Sequence, residues 1–312
     1  MKRLPRVLAI VGPTASGKTP CSILLAERLN GEIVSADSRQ IYKHLDIGTA
    51  KPSKEDLRRI PHHFVDMLEL EHDYSAGQFG KDARAVVDDI VRRGRVPIVA
   101  GGSGLYVRAM IDGLFEGPGK DPELRTILES RLEHEGAHSL LEVLKKLDPT
   151  SAAGMDATKP RRIIRALEVY YLTGKPLSQF HKEQRREPTF DYVQTGLDWE
   201  RKALYARIER RVDEMMRNGL LQEVESLKRR GYITQINALN TVGYKEMFDF
   251  LDGRSSLDES VVLMKQNTRR FAKRQLTWFR ADERIRWVSM DDEKKLEVIA
   301  DEILRIWKGK RL

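Results

Sequence analysis

A glycine-rich stretch near the N-terminus has the residue types and spacing of a phosphate-binding loop. It follows a short apolar run and reads G-x-x-x-x-G-K-T from Gly12 to Thr19; we name it the glycine loop. Glycines let successive N–H groups turn towards an anion, and the following helix adds the positive end of its dipole. Lys18 supplies a charge for the terminal phosphate, and the Thr19 hydroxyl is placed to ligate Mg²⁺. The pattern predicts bound phosphates without saying whether they are transferred or leave.

An acid behind a second apolar run is the next candidate for chemistry. Asp37 closely follows the run Glu32–Ser35. In open α/β sheets, ligands bind at the carboxyl ends of the strands. Kinases and NTPases use a strand-end Asp to hold Mg²⁺, but the best candidate run for that strand, Val96–Ala100, ends in glycines. Asp37 is therefore a candidate metal partner, general base or helix N-cap, and the sequence leaves all three roles open.

Strands that alternate with helices must position these residues. This alternation predicts an α/β fold with a parallel sheet and right-handed crossovers. The predicted strands in the first part of the chain are Arg6–Val11, Glu32–Ser35, His63–Leu68 and Val96–Ala100. Helices are predicted from the glycine loop through Leu29 and over Gln78–Arg93, where apolar residues recur at helical spacing.

The pattern changes after Leu114, where the chain becomes rich in Gly and Pro and then reads as helices only to about Phe180. We predict a helical insertion at 117–191 and an α/β core made of 1–116 plus 192–312. A β-prone run returns at Tyr192–Leu197. The remaining predicted elements are helices Lys202–Arg217, Leu220–Arg230, Thr241–Leu251 and Leu257–Arg280, a strand Ile285–Val288 and a last helix Lys294–Trp307.

Composition limits the classes of protein to which the chain can belong. It has 312 residues, a formal net charge of +8 and one cysteine, Cys21, which we place in the core of the first helix. A single cysteine excludes an internal disulfide or cysteine-based zinc site and fits the cytoplasm. No apolar run approaches the roughly 20 residues that span a bilayer. We expect a monomer that contacts no membrane, and we expect His62, His63 and Asp66 to pack or cap, not to bind a metal.

One long predicted helix is unusually basic. The stretch Leu263–Arg280 contains no acid, and Lys265, Arg269 and Lys273 share one face of it. A solvated face and a phosphate-contacting face are both compatible with this pattern. Solvated faces usually mix signs, so the pattern favours contacts with nucleic-acid phosphates.

Seven segments together resemble, in order and spacing, the tRNA dimethylallyltransferases (isopentenyltransferases). They are GPTASGKT, SADSRQIYKHLDIGTAKP, PHHFVD, GGSGLY, PRRIIRALEVY, NTVGYKE and KRQLTWFR. The resemblance implies a P-loop, nucleotide-kinase-like fold with a helical insertion. It also implies that the glycine loop holds the diphosphate of dimethylallyl diphosphate, which leaves. The implied acceptor is N6 of the adenosine immediately 3′ of the anticodon, in tRNAs reading codons that begin with U.

The resemblance assigns catalytic roles to Asp37 as the base, to Lys18, and to Ser103, which stands where the family usually has Thr in GGTGLY. It places Mg²⁺ at Thr19. The implied diphosphate-binding residues are Gly12, Pro13, Thr14, Ala15, Ser16, Gly17, Lys18, Thr19, Arg207 and Arg211. Without the resemblance, the two arginines would be typical of a solvated helix face.

The anticodon stem-loop of tRNA is the implied partner, and its target base must leave the stack to reach Asp37. The implied tRNA-binding residues lie in four runs of consecutive residues and at four single positions. They are Asp37, Ser38, Arg39, Gln40, Ser103, Arg125, Arg161, Arg162, Ile163, Ile164, Arg165, Asn240, Thr241, Val242, Gly243, Tyr244, Lys245, Lys273, Arg274, Gln275, Trp278 and Arg280.

Three other functions are compatible with parts of the sequence. A P-loop kinase of a small molecule would share the loop. Against this function, the strand Val96–Ala100 is followed by glycines and not by the Asp that would hold Mg²⁺. An RNA-binding module without catalysis would not need to retain Lys18, Thr19 and Asp37. A prenyltransferase of free adenylate would need neither the large insertion nor the basic clusters.

Overall fold

A computed structural model of the chain describes residues 4–114, 118–119, 121–183 and 190–309. The described residues form a six-stranded sheet in the order β3-β2-β4-β1-β5-β6, and every neighbouring pair is parallel. The strands are β1 Arg6–Val11, β2 Gly31–Ser35, β3 His62–His63, β4 Val96–Gly101, β5 Asp191–Trp199 and β6 Ile285–Met290. The predicted α/β class with a parallel sheet is confirmed.

Two compact units make up the chain, and their boundaries follow the change of pattern seen in the sequence. One unit contains Met1–Asp112 with Pro188–Leu312, and the other contains Gly113–Glu187. The second unit consists of four helices within its described residues: α5 Pro122–Leu147, α6 Pro149–Ala153, α7 Pro160–Thr173 and α8 Leu177–Glu183. Its core contains Leu140, Leu144 and Leu167, all fully buried. Residues 115–117, 120 and 184–189 near its ends lie outside the described ranges.

Helices cover both faces of the sheet in the first unit. They are α1 Lys18–Leu29, α2 Lys54–Arg59, α3 Ala76–Arg92, α4 Gly104–Ile111, α9 Arg201–Arg217, α10 Leu220–Arg229, α11 Tyr244–Leu251, α12 Leu257–Arg280 and α13 Leu296–Gly309. Strand β1 shows why the sheet needs two covered faces. Val7 and Ala9 join one apolar cluster and Leu8 and Ile10 the other, as the two-residue period of a strand requires.

Two predicted element boundaries are wrong for backbone reasons. The predicted strand His63–Leu68 is reduced to His62–His63, because Phe64 and Asp66 adopt left-handed conformations with φ of 65° and 52°. Leu68 keeps only an isolated bridge to Tyr42. The predicted helix Thr241–Leu251 starts at Tyr244, after Gly243 with φ of 98°.

Two short helices were not predicted. Helix α2 has six residues and begins with a capping box between Ser53 and Asp56. Helix α4 has eight residues and begins directly after Ser103. Both helices contribute residues to the wall of the cavity described below.

Candidate active site

The glycine loop connects β1 to α1 at the carboxyl end of the sheet. Gly17 stands before α1 with φ of 91°, a left-handed conformation that glycine adopts without strain. Two carbonyls of the loop accept hydrogen bonds from side chains of β5 and α9. Trp199 Nε1 donates to the Ser16 carbonyl at 2.9 Å, and Arg207 Nε donates to the Ala15 carbonyl at 3.1 Å. The free amides of the loop are thus presented at the start of a helix, where anions bind.

A cavity of about 890 Å³ brings the predicted catalytic residues together. The carboxyl ends of three neighbouring strands, β1, β2 and β4, supply one part of its wall, and helices α9 and α12 supply another. Residues of three separate loops line it. They are Thr14 to Thr19, Asp37 to Gln40, and Gly102 to Leu105. Gly12 and Pro13, the first two residues of the glycine loop, are buried.

Two cations converge on the glycine loop inside this cavity. Burial and, to a smaller extent, the Arg211 charge lower the pKa of Lys18 to about 7, although the Asp37 carboxylate acts in the opposite direction. Burial also lowers the pKa of Arg211. In the described part of the chain Arg211 has no hydrogen bond or ion pair, while Lys18 Nζ donates only to the Pro13 carbonyl at 2.6 Å. Such cations are electrostatically prepared for an anion that would pair with both.

The carboxylate of Asp37 uses only one of its oxygens for structure. Oδ1 accepts from the backbone amides of Arg39 at 2.9 Å and Gln40 at 3.3 Å, which closes a tight turn. Oδ2 has no hydrogen bond to any described residue. The predicted helix N-cap role is wrong, because the residues after Asp37 form a turn and no helix begins there. Asp37 lines the cavity, so the base and metal-partner roles remain candidates.

Ser103 lies next to Asp37 in the fold although it is distant in sequence. Its backbone N–H donates to the Ala36 carbonyl at 3.1 Å, which joins the ends of β2 and β4. Ser103 is the residue before α4, yet its side chain does not cap that helix. Its hydroxyl is therefore left for a ligand in the cavity.

Arg207 differs from the expectation of a direct diphosphate contact. Its guanidinium stacks over Trp199 at 4.2 Å and pairs with Asp292 at 2.9 Å, in addition to its bond to the glycine loop. These contacts indicate that Arg207 stabilises the conformation of the glycine loop. Of the two predicted arginines, Arg211 is the one that lines the cavity.

Two residues of the segment Asp37–Gln40 are used to hold neighbouring loops. Arg39 Nη1 donates to the Asn237 carbonyl at 2.8 Å. Gln40 Nε2 donates to the carbonyls of Thr49 and Ala50 at 3.2 and 3.1 Å. Asp37 and Ser38 are the members of this segment whose side chains remain for substrate.

Tyr244 and Gly243 are buried, which contradicts a direct RNA contact for either. Tyr244 is fully buried and donates to Glu223 at 2.5 Å. Gly243 donates its amide to Glu246 at 2.7 Å, at the start of α11. The remaining residues of the predicted segment line the cavity: Asn240, Thr241, Val242 and Lys245. Glu223 was missed by sequence reasoning, and no local pattern marks it.

Two cations of the acid-free stretch Leu263–Arg280, which forms most of α12, pair with acids on another helix. Lys265 pairs with Asp213 at 2.6 Å and Arg269 with Glu209 at 2.5 Å, both on α9. The inference that a lack of acids leaves the whole face to phosphates is therefore wrong for these two. Arg280, predicted to bind tRNA, likewise pairs with Asp198 at 3.0 Å.

Two other cations of α12 are not neutralised by acids of the described residues and can contact RNA phosphates. Lys273 and Arg274 have no ion pair among the described residues, and Arg274 stacks on Phe271 at 5.7 Å. Phe271 and Trp278 are 40% and 37% exposed. These two cations and two rings lie along the wall of the cavity and just beyond it. Gln275, which was also predicted to bind tRNA, does not belong to this group because it is only 8% exposed.

In the helical unit, two of the predicted tRNA contacts are core residues. Ile163 and Ile164 are 0% and 2% exposed, so their side chains are not available to RNA. Arg165 pairs with buried Glu168 at 2.7 Å, and Arg125 approaches the same carboxylate at 4.0 Å. Exposed side chains that open α7 are those of Arg161 and Arg162.

The histidine pair predicted to pack or cap does so. His62 Nδ1 lies 2.8 Å from the Ile60 carbonyl, and His63 Nε2 lies 2.8 Å from buried Glu32. Over the described ranges, no three His, Cys, Asp or Glu side chains come together as a metal site would require. None of the helices described is both long and apolar enough to cross a membrane.

The fold and the site define a class of protein: an α/β enzyme-like core with an anion-binding glycine loop and a carboxylate and a hydroxyl on adjoining strand ends. The IPP transferase family matches residues 40–282. The chain belongs to this family.

Individual relatives agree over almost the full chain. A tRNA dimethylallyltransferase of Pelotomaculum thermopropionicum is 48% identical, with 97% of this chain and 96% of the relative covered. One of Geobacillus thermodenitrificans is 46% identical, with 98% and 97% covered.

Solved structures show the same likeness. A tRNA isopentenylpyrophosphate transferase of Bacillus halodurans matches with a TM-score of 0.71 at 41% identity, over 98% of this chain and 97% of that one. A eukaryotic dimethylallyltransferase acting on tRNA matches with a TM-score of 0.84 at 28% identity, over 99% of this chain and 80% of that one.

Proposed function

We propose that this protein transfers a dimethylallyl group from dimethylallyl diphosphate to N6 of the adenosine immediately 3′ of the anticodon in tRNAs reading U-starting codons. The observation that carries the proposal is the convergence of Asp37, Ser103, Lys18 and Arg211 in one cavity beside the glycine loop. The products are N6-(dimethylallyl)adenosine and diphosphate. We further propose that it acts as a cytoplasmic monomer.

The donor half of the cavity is suited to a leaving diphosphate. As the allylic C–O bond breaks, negative charge grows on the diphosphate and the carbon becomes cation-like. Loop amides, Lys18 and Arg211 stabilise that growing charge, which is the largest contribution to catalysis in such sites. Ser16 adds a buried hydroxyl that has no hydrogen-bond partner in the described part of the chain.

The acceptor half of the cavity requires a base. The exocyclic amine of adenine is a poor nucleophile, so its proton must be removed as the N6–C bond forms. Asp37 Oδ2 accepts this proton, while Oδ1 stays fixed by the Arg39 and Gln40 amides. The Ser103 hydroxyl is in place to hydrogen-bond the substrate and hold the amine in line with the departing diphosphate.

We propose Mg²⁺ as the cofactor, held at Thr19. The Thr19 hydroxyl lines the cavity and donates no hydrogen bond within the described residues. An oxygen-only site with few protein ligands fits Mg²⁺, which usually keeps several waters and binds phosphate oxygens. The ion would supply further neutralisation of the leaving diphosphate.

For the RNA, we propose that the anticodon stem-loop contacts the exposed end of α12, through Lys273, Arg274 and Trp278. Exposed arginines of the helical unit, Arg161 and Arg162, would add phosphate contacts. Base edges of an extruded adenosine would meet the cavity residues Asn240 and Thr241.

Mass spectrometry tests the proposed reaction. The protein is incubated with an anticodon stem-loop RNA, dimethylallyl diphosphate and Mg²⁺, and the RNA is examined for an added C5H8 on the target adenosine. An RNA with guanosine at that position is the matched control and should gain nothing. Turnover of ATP without a prenylated product would favour a small-molecule kinase instead.

A further inference from the structure

Gln275 is a buried glutamine within the basic stretch Leu263–Arg280 of helix α12. Its Oε1 accepts from the Thr14 backbone N–H at 2.8 Å, and its Nε2 donates to the Gly102 carbonyl at 2.9 Å. Thr14 lies on the glycine loop and Gly102 lies between β4 and α4. One side chain thus joins two loops that are 261 and 173 positions away from it.

The partners of Gln275 fix its orientation. A backbone N–H only donates and a backbone carbonyl only accepts, so a reversed amide would lose both bonds. A side-chain carbon at Gly102 would overlap Gln275 Nε2, so glycine is required there for the glutamine to fit. Gln275 also lies on the buried stripe of α12, with Ala272 and Phe279, and not on its basic face.

The two loops joined by Gln275 carry the reacting groups. The glycine loop continues to Lys18 and Thr19. Gly102 is followed by Ser103, whose amide is bonded to Ala36, the residue before Asp37. A shift of Gln275 would therefore change the distance between the anion-binding amides and the Ser103 hydroxyl.

We infer that Gln275 is a positioning residue for the diphosphate site and not an RNA contact. The inference rests on the proposed function, because it takes the glycine loop as the diphosphate site. Gln275 occupies the Thr14 N–H, and the Ser16 N–H is bonded to the Pro13 carbonyl at 3.4 Å. The amides of Ala15, Gly17, Lys18 and Thr19 remain for phosphate oxygens. A loop already fixed by Gln275 loses little conformational freedom when diphosphate binds, which favours affinity.

Binding measurements on two glutamines of the same helix test this inference. Inorganic diphosphate with Mg²⁺ and an anticodon stem-loop RNA are titrated separately by calorimetry. Gln275→Leu should weaken diphosphate binding by about tenfold, the effect of two lost hydrogen bonds, and leave RNA binding within about twofold. Gln266→Leu is the matched control, because Gln266 is exposed on α12, and it should change neither affinity.

Gln275→Glu separates the two hydrogen bonds. Its carboxylate can still accept from Thr14 but cannot donate to Gly102, whereas the protonated acid can do both. Diphosphate affinity relative to the wild type should therefore recover as pH falls towards about 4.3, the ordinary pKa of Glu. A residue that only fills space would show no such recovery.

The outcomes distinguish this inference from the function on which it rests. A wild-type protein that binds no diphosphate would overturn the proposed function. A wild type that binds diphosphate no better than Gln275→Leu would overturn only the positioning role. If Gln275→Leu lost RNA affinity but kept its diphosphate affinity, the positioning role would be overturned and Gln275 would be an RNA-binding residue.

Discussion

Tyr244 on α11 donates a 2.5 Å hydrogen bond to the Glu223 carboxylate on α10, and together they hold a loop that belongs to neither helix. The same carboxylate accepts from the backbone amides of Asp46, Ile47 and Gly48 at 3.1, 2.9 and 3.3 Å. Gly48 lines the cavity, so two helices from the second half of the chain shape a wall that comes from the first half.

Tyr244→Phe should lower the free energy of unfolding by about 1–2 kcal/mol, because Glu223 loses one donor to a charged acceptor. Urea denaturation measures the change. Tyr171→Phe is the control, since Tyr171 is 44% exposed, and it should stay within about 0.5 kcal/mol of the wild type. Equal losses in both variants would mean that the hydroxyl of Tyr244 contributes nothing particular.

The lowered pKa of Lys18 predicts a pH dependence of stability. The pKa of Lys18 is about 7 in the folded protein and 10.5, its ordinary value, in the unfolded chain. Between pH 7 and pH 10.5 the unfolded chain therefore binds one more proton than the folded protein. Stability contributed by this site therefore rises as pH increases from 7 to 10.5 and is lowest below 7, where the buried amine is charged. Lys18→Met removes the titration.

Parallel urea denaturation of wild type and Lys18→Met, across this pH range, checks the sign. The variant should be the more stable at pH 7, and its advantage should shrink as pH rises. An advantage that grows with pH would show that Lys18 gains net stabilisation from Asp37 in the folded protein.

Asp37→Asn should lower the rate of prenyl transfer by about 10²- to 10⁴-fold, the usual contribution of a general base. The amide oxygen can still accept from the Arg39 and Gln40 amides, so the turn should persist. Affinity for the anticodon stem-loop should change by no more than a few fold. Single-turnover assays and RNA titrations measure the two effects separately.

Asp156→Asn is the matched control for this change. Asp156 closes a similar turn, with Oδ1 accepting from the Thr158 amide at 2.8 Å, but it belongs to the helical unit and not to the unit that contains the glycine loop. Transfer should remain normal in that variant. A strong loss of RNA affinity in Asp37→Asn would instead assign Asp37 to RNA binding.

Elements with strong local signals could be predicted from the sequence. The structure confirms both ends of the predicted helix Leu257–Arg280. Its start also carries a local signal, because Ser256 and Glu259 form a capping box. The alternation of strands and helices also led to the parallel sheet. Strand-end position made Asp37 a candidate, and Asp37 lines the cavity.

Relations between distant residues could not be predicted in this way. No local pattern shows that Glu209 neutralises Arg269, or that Glu223 holds a loop 176 positions away. Gln275 did leave a signal, because a glutamine at a buried helical position needs partners. Its two partners lie on loops that only the tertiary fold brings to it.

The salt dependence of RNA binding should separate the free cations of α12 from the paired ones. Lys273→Ala with Arg274→Ala removes charges without ion pairs in the described residues, so the log–log slope of affinity against salt should fall by about 1–2 units. Lys265→Ala with Arg269→Ala removes charges held by acids of α9 and should change the slope by much less. Equal changes in both double variants would mean that RNA displaces those ion pairs, and that the whole basic face of α12 meets phosphate.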